Sequence, residues 1–111
     1  LNDQLVSYIQ REKPYLNPEL SLPALADSLE ISRNQLSEVI NKVHNKNFYE
    51  FINDYRVSEV KELMADPKNK HLKLMSLAYD AGFNSKATFN RIFKQMTGMT
   101  PSQYLAGEQG N

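Results

Sequence analysis

Basic and amide side chains are concentrated near the carboxyl end of the chain. Between Asn84 and Ala106 there are three basic residues and no acidic residue. Lys and Arg side chains neutralise phosphates, and Arg and Asn form paired hydrogen bonds with the edges of guanine and adenine. These residue types therefore favour contact with a nucleic acid. The side chains expected to face outward from this segment are Lys86, Ala87, Asn90, Arg91 and Lys94.

Helical signals surround these residues. Phe89, Ile92 and Phe93 recur at helical spacing, so they are predicted to turn inward and to leave the polar side chains outside. Ser85 is predicted to cap the start of this helix, and Gly82 can adopt a positive φ that ends the preceding helix. A short helix, a tight turn and a second helix with a polar outer face form the pattern of a helix-turn-helix. For this stretch alone, an ordinary helical hairpin remains the alternative.

The same pattern occurs twice in the chain. Residues 22–36 parallel residues 74–89, with one additional residue in the second turn. Ser32 is predicted to cap the second helix of the first copy. Finding the pattern twice reduces the chance of coincidence and favours two helix-turn-helix units. The residues that the second helix of the first copy is predicted to turn inward are Leu36, Val39, Ile40 and Val43.

The longest predicted helix lies between the two copies. Asn47 followed by Glu50 is a capping-box pattern, and the helix is predicted to run from Phe48 to Ala65. At ~1.5 Å per residue it would span ~27 Å. A helix of this length would separate the two copies of the helix-turn-helix pattern.

These signals predict an all-α fold of about seven helices, with two helix-turn-helix subdomains joined by a long central helix. A first helix is expected over residues 3–12, and Thr100 is predicted to cap a last helix that starts at Pro101. The chain 1–111 is predicted to be one domain. Its parts are the first subdomain at 3–46, the linker helix at 47–66, the second subdomain at 72–106 and a frayed tail at 107–111.

The composition excludes or disfavours several other classes of protein. The 111 residues carry a formal net charge of zero, include no cysteine and are 41% hydrophobic, which allows one domain with a modest core. Without cysteine there is no disulfide framework and no thiolate metal site. No apolar run is long enough for a membrane span, so this segment is expected to make no membrane contact. Zero net charge counts mildly against a nucleic-acid binder, although the distribution of charge matters more than its sum.

Sequence patterns typical of catalysis do not occur. The chain has no His-Glu-x-x-His, no Gly-x-Ser-x-Gly and no glycine loop that could cradle a phosphate. His44 and His71 are far apart in sequence, and His44 is interpreted as a helix C-terminal residue favoured by the helix dipole. We therefore expect no enzyme activity, no cofactor and no metal. The methionines interpreted as core-filling residues are Met64, Met75, Met96 and Met99.

A set of residues at fixed spacing resembles the AraC-type (arabinose-regulator) family of bacterial transcription factors. The resemblance covers about residues 3–106, and the central helix is similar to the family's linker helix at Phe51, Ile52 and Arg56. The residues that carry the most specific part of the match are Ala81, Gly82, Phe83, Ser85, Phe89, Arg91, Phe93, Lys94, Gly98, Thr100, Pro101 and Tyr104.

The resemblance implies sequence-specific binding of double-stranded DNA, with two recognition helices in successive major grooves, and regulation of transcription. It implies that the chain is the C-terminal output domain of a longer protein with a sensor domain, that RNA polymerase is a partner, and that the protein acts in the cytoplasm on the nucleoid. The parent protein could be tethered to a membrane. The residues that it assigns to DNA contact are Arg33, Asn34, Ser37 and Glu38 in the first unit and Ser85, Lys86, Ala87, Asn90, Arg91 and Lys94 in the second.

Three positions depart from the family pattern. Glu38 stands where many relatives have a basic or neutral residue, Glu30 replaces the usual glycine of the first turn, and Leu105 stands where arginine is common. A carboxylate accepts a hydrogen bond from cytosine but is repelled by phosphate, so we expect the second unit to supply most of the sequence-independent affinity. The alternative is a helical protein–protein interaction module without direct DNA readout, which the neutral net charge favours.

Overall fold

The chain folds into helices connected by short turns. A computed structural model describes residues 1–109, with side chains through residue 107. In this part of the chain there are seven α-helices, two 3₁₀ turns and no strand, which confirms the all-α fold class. None of the helices formed by residues 1–109 is long and apolar enough to cross a membrane. The helices are α1 (Asn2–Glu12), α2 (Leu22–Ser28), α3 (Arg33–His44), α4 (Phe48–Ala65), α5 (Leu74–Asp80), α6 (Lys86–Thr97) and α7 (Pro101–Gln109).

The chain divides into two compact units, and the division falls inside α4. The first unit is Leu1–Asn53, and the second begins at Asp54. Helix α4 therefore contributes buried side chains to both units, which is why apolar residues occur nearly all round it. Its 18 residues match the length expected from the sequence.

In the first unit, α3 packs against α1 and α2. The last residue of α3 is His44, as expected, and its Nε2 lies 2.8 Å from Oδ1 of Asn2. The His44 ring also packs on Phe51, with 4.8 Å between the ring centroids. His44 thus joins both ends of this unit through packing and one hydrogen bond. The buried apolar side chains of the unit are Leu5, Ile9, Tyr15, Leu25, Ala26, Leu36, Ile40, Phe51 and Ile52.

In the second unit, aromatic side chains fix the rotation of α6. Phe89 packs against Phe83 and Phe93, with ring centroids 5.2 Å and 5.7 Å away. Phe93 packs edge-on against Tyr104 of α7 at 5.3 Å. The buried core comprises Val57, Val60, Met64, Leu77, Ala78, Ala81, Phe83, Phe89, Ile92 and Phe93. Phe89 and Phe93 are fully buried, and the residues on the opposite side of α6 are exposed.

Side-chain caps begin the helices where the sequence predicts them. Asn47 and Glu50 form the predicted capping box, with reciprocal hydrogen bonds of 2.8 Å and 3.0 Å to each other's backbone N–H groups. Thr100 and Gln103 do the same at the start of α7, at 3.0 Å and 3.2 Å. These bonds satisfy backbone donors that have no partner within the helix.

Three predicted core residues are instead exposed. Val43 is 54% exposed, and Met96 and Met99 are each 41% exposed. Val43 lines an open groove with Leu1 and Val39. The prediction for Val43 was wrong because helical periodicity gives the direction of a side chain but not whether another element reaches it. The interpretation of Met96 and Met99 was wrong because residue type alone does not decide burial. The helix α7 also continues to Gln109, beyond the expected start of the tail at 107. Gly110 and Asn111, the last residues of that tail, lie outside the described residues.

Candidate nucleic-acid interface

The two helix-turn-helix connections have the same backbone hydrogen bonds. After α2, the N–H of Glu30 donates to the carbonyl of Asp27, and the N–H of Ile31 donates to the carbonyl of Ala26, both at 3.1 Å. This pair of bonds is a Schellman motif, which ends a helix through one residue in the left-handed conformation. Glu30 is that residue, with a φ of 57°.

After α5, the same two bonds recur 52 positions further along the chain. The N–H of Gly82 donates to the carbonyl of Tyr79 at 3.1 Å, and the N–H of Phe83 donates to the carbonyl of Ala78 at 3.0 Å. Gly82 has a φ of 105°. The sequence repeat therefore corresponds to a repeated local structure, and Asn84 is the additional residue that separates the second turn from its cap.

Serine caps begin α3 and α6. The Ser32 hydroxyl oxygen accepts from the N–H of Gln35 at 3.1 Å, and the Gln35 side chain accepts from the N–H of Ser32 at 2.9 Å. The Ser85 hydroxyl oxygen accepts from the N–H of Thr88 at 3.3 Å. Ser85 is half-buried, so its hydroxyl serves the helix start. Both helices are 12 residues long, and residues at equal distance from the two caps are equivalent.

The outer face of α6 is basic. The structure brings the predicted contact residues of this helix together on the side opposite the aromatic core. The helix carries three basic residues and no acidic one. It therefore presents a positive surface suited to phosphates and to the acceptor atoms of base edges. The exposed members of this surface, here called the α6 face, are Lys86, Ala87, Asn90, Arg91 and Lys94.

The outer face of α3 is polar with mixed charge. Leu36 and Ile40 are fully buried, so the helix has the orientation predicted from the sequence despite the exposure of Val43. One carboxylate lies among its basic and amide groups, which leaves this helix less positive than α6. The predicted contact residues that are exposed on this surface, here called the α3 face, are Arg33, Asn34, Ser37 and Glu38.

Lys42 lies on the same surface of α3 and is added to the α3 face, although it was not among the predicted contact residues. Its Nζ lies 3.0 Å from Oε1 of Glu38, one helical turn earlier. Asn34, Glu38 and Lys42 follow each other at intervals of four, so they form one row along the helix. The spacing of Glu38 and Lys42 in the sequence was the signal that could have identified this pair. Asn41 is also exposed on α3.

The two helices carry opposite charges at equivalent positions. Glu38 is the sixth residue of α3 after the Ser32 cap, and Arg91 is the sixth residue of α6 after the Ser85 cap. Both side chains are exposed. The repeat has therefore preserved the scaffold while the chemistry of the central outward position differs between the units.

Comparison with known proteins agrees with this geometry. The sequence profile of a family described as a helix-turn-helix domain matches residues 25–107. The chain belongs to this helix-turn-helix family. The resemblance of the motif to the AraC-type family is thereby confirmed. This family consists of transcription regulators and is not an enzyme family. Residues 1–107, which include the α3 and α6 faces, contain no cluster of three His, Asp or Glu side chains that could hold a metal ion.

The chain is similar to curated proteins that are named as regulators. The chain is 25% identical over 114 residues to the Msm operon regulatory protein of Streptococcus mutans, covering 99% of the chain and 40% of that protein. It is 31% identical over 108 residues to an uncharacterised HTH-type transcriptional regulator of Staphylococcus aureus, covering 94% of the chain and 14% of that protein. The chain thus spans less than half the length of these relatives.

A solved structure has the same fold. It is the C-terminal domain of AraT, a response regulator from Geobacillus stearothermophilus. The TM-score is 0.80 at 25% identity, and the alignment covers 95% of this chain and 83% of that one. The fold is therefore shared with a domain that lies at the C-terminal end of a response regulator.

Proposed function

We propose that this domain binds double-stranded DNA sequence-specifically through α3 and α6 and thereby regulates transcription. The observation that supports this most directly is the duplicated scaffold. Each unit ends a short helix in a Schellman turn, starts a 12-residue helix at a serine cap and exposes polar side chains on that helix. A helix held in this way, with one face buried and the other polar, is suited to the major groove.

The two faces supply different contributions to binding. On the α6 face, Lys86 and Lys94 contact phosphates, and Asn90 and Arg91 contact base edges. On the α3 face, Arg33 contacts phosphate, and Asn34 and Ser37 contact bases. Two recognition helices in successive major grooves let one chain cover about two helical turns of DNA. Ser85 and Ala87 have small side chains, which allow the start of α6 to approach the sugar-phosphate backbone of the DNA closely.

The regulatory role rests on the relatives. They are named as an operon regulatory protein and as transcriptional regulators, and they are longer than this chain. In this proposal the domain is the output part of a longer protein with a sensor domain. RNA polymerase is its protein partner during transcription, and the site of action is the nucleoid in the bacterial cytoplasm.

Selection from random duplexes followed by footprinting tests this proposal. We expect the domain to enrich one sequence, to bind it as a monomer and to protect about two helical turns. Affinity should fall steeply as salt rises, because phosphate contacts release counterions. Protection of a single groove segment would contradict the role of two helices. Failure to enrich any duplex, together with binding to a protein partner that depends little on salt, would instead favour the protein–protein interaction module.

A further inference from the structure

The negative charge on the α3 face is solvent-exposed and held in a defined position. The side chains of Glu38 and Lys42 are 64% and 72% exposed, and their charged atoms lie 3.0 Å apart. Glutamate placed four residues before lysine is the favourable orientation for such a pair on a helix. Both groups are accessible to a ligand because their side chains are exposed. An exposed pair of this kind contributes little to folding stability.

A carboxylate in the major groove selects among the bases. It only accepts hydrogen bonds, whereas guanine and thymine present acceptor oxygens there and guanine adds N7. The cytosine N4 amino group is a donor that is not accompanied by an acceptor on the same base edge. The same carboxylate is repelled by phosphates, and Lys42 lies close enough to reduce that repulsion.

We infer that Glu38, positioned and neutralised by Lys42, selects cytosine in the half-site that α3 contacts. This inference rests on the proposed function, and it deepens that function by assigning a base to one position. It also gives the two units different roles. Arg91 occupies the equivalent place on α6 and pairs with guanine, so the two units read different bases from equivalent helix positions.

Replacement of Glu38 tests the base assignment. Affinity is measured for variants of the selected duplex. Each variant carries cytosine, adenine, guanine or thymine at one position of the half-site that α3 contacts. Glu38→Gln should move the preference at one position from cytosine to adenine, because glutamine pairs with adenine N6 and N7. Binding to the cytosine site should weaken about 5- to 150-fold. Binding to unrelated duplexes should become tighter, since a negative charge has been removed.

A matched charge control separates readout from general electrostatics. Glu19→Gln removes one negative charge from an exposed residue of the same unit outside the α3 face. It should leave the preference at every position unchanged. If Glu38→Gln also left every preference unchanged, or altered affinity for all duplexes by the same factor, the cytosine assignment would be overturned.

Lys42 is tested as a positioning residue by a double-mutant cycle. Lys42→Met should weaken binding to the cytosine site more in the wild-type background than in the Glu38→Gln background, because its role depends on the carboxylate. Lys42→Arg keeps the positive charge and should retain the cytosine preference of the wild type. Equal losses in both backgrounds would mean that Lys42 contacts only phosphate, which would contradict its role in positioning Glu38.

The wild-type protein and Arg91→Ala distinguish this inference from the proposed function. If the wild type bound no duplex, the proposed function would be wrong and this inference with it. If the wild type bound one sequence, Arg91→Ala weakened that binding, and cytosine selection survived Glu38→Gln, only the inference would be wrong. The midpoint of thermal unfolding is measured for each variant and compared with the wild type, to separate changes in binding from loss of folding.

Discussion

Glu30 and Gly82 occupy the same position in the two helix-turn-helix turns, with φ angles of 57° and 105°. Each is the left-handed residue of a Schellman motif, and each is followed by an N–H that bonds to the helix it ends. Glycine adopts positive φ without steric cost, whereas a residue with a Cβ is strained by roughly 1–2 kcal/mol. The first turn therefore keeps the required backbone conformation with an unfavourable residue.

Glu30→Gly is expected to stabilise the domain by roughly 0.5–1 kcal/mol, because relief of strain exceeds the added flexibility of the unfolded chain. The midpoint of chemical unfolding measures this change. Glu30→Ala is the control, since it removes the side chain but keeps the Cβ, and it should not stabilise comparably. A glycine variant less stable than the wild type would contradict the strain assigned to this position.

Phe93→Ala is expected to destabilise the protein by ~3–5 kcal/mol. The ring is fully buried between Phe89 and Tyr104, so truncation leaves a cavity and removes the packing on both of these rings. Met96→Ala on the same helix removes an exposed side chain and should cost less than ~1 kcal/mol. Similar effects of the two substitutions would mean that the buried face of α6 is wrongly assigned.

Lys86 and Lys94 are expected to contact phosphates. Changing both to glutamine should make the dependence of log affinity on log salt less steep, by roughly 1 for each phosphate that the protein no longer neutralises. Lys70 lies in the connection before α5, is exposed and provides the control Lys70→Gln, which should leave the slope unchanged. Unchanged slopes in the double variant would show that these lysines do not reach the DNA.

Asn90 and Arg91 are expected to act on base edges. Asn90→Ala should lose ~1–3 kcal/mol on the selected site and should stop discriminating at one base pair, because asparagine pairs with adenine N6 and N7. Arg91→Ala should do the same at a guanine. A side chain that touches only phosphate would lose affinity equally on every sequence. Measured binding to all single-base variants of the selected site distinguishes the two results.

Local signals in the sequence determined much of the fold. The caps at Ser32, Asn47, Ser85 and Thr100 depend on hydrogen bonds between residues three positions apart, so short-range patterns define them. The inward faces of α3 and α6 likewise follow from helical spacing. The duplicated turn was visible because the same residue types recur at the same spacing, and the left-handed position in it was detectable even where glutamate replaces glycine.

Only the tertiary structure decided which apolar residues the core covers. Val43 continues the inward spacing of α3, yet it is 54% exposed because neighbouring elements do not cover it. Met96 and Met99 differ from Met64 for the same reason. Burial depends on residues distant in sequence, as in the packing of Phe93 on Tyr104 and of His44 on Phe51, and a periodic pattern does not specify such contacts. The structure also added Lys42 to the α3 face, since its Nζ lies 3.0 Å from the carboxylate of Glu38. The spacing of the two residues permits this contact, but side-chain conformations decide whether it forms.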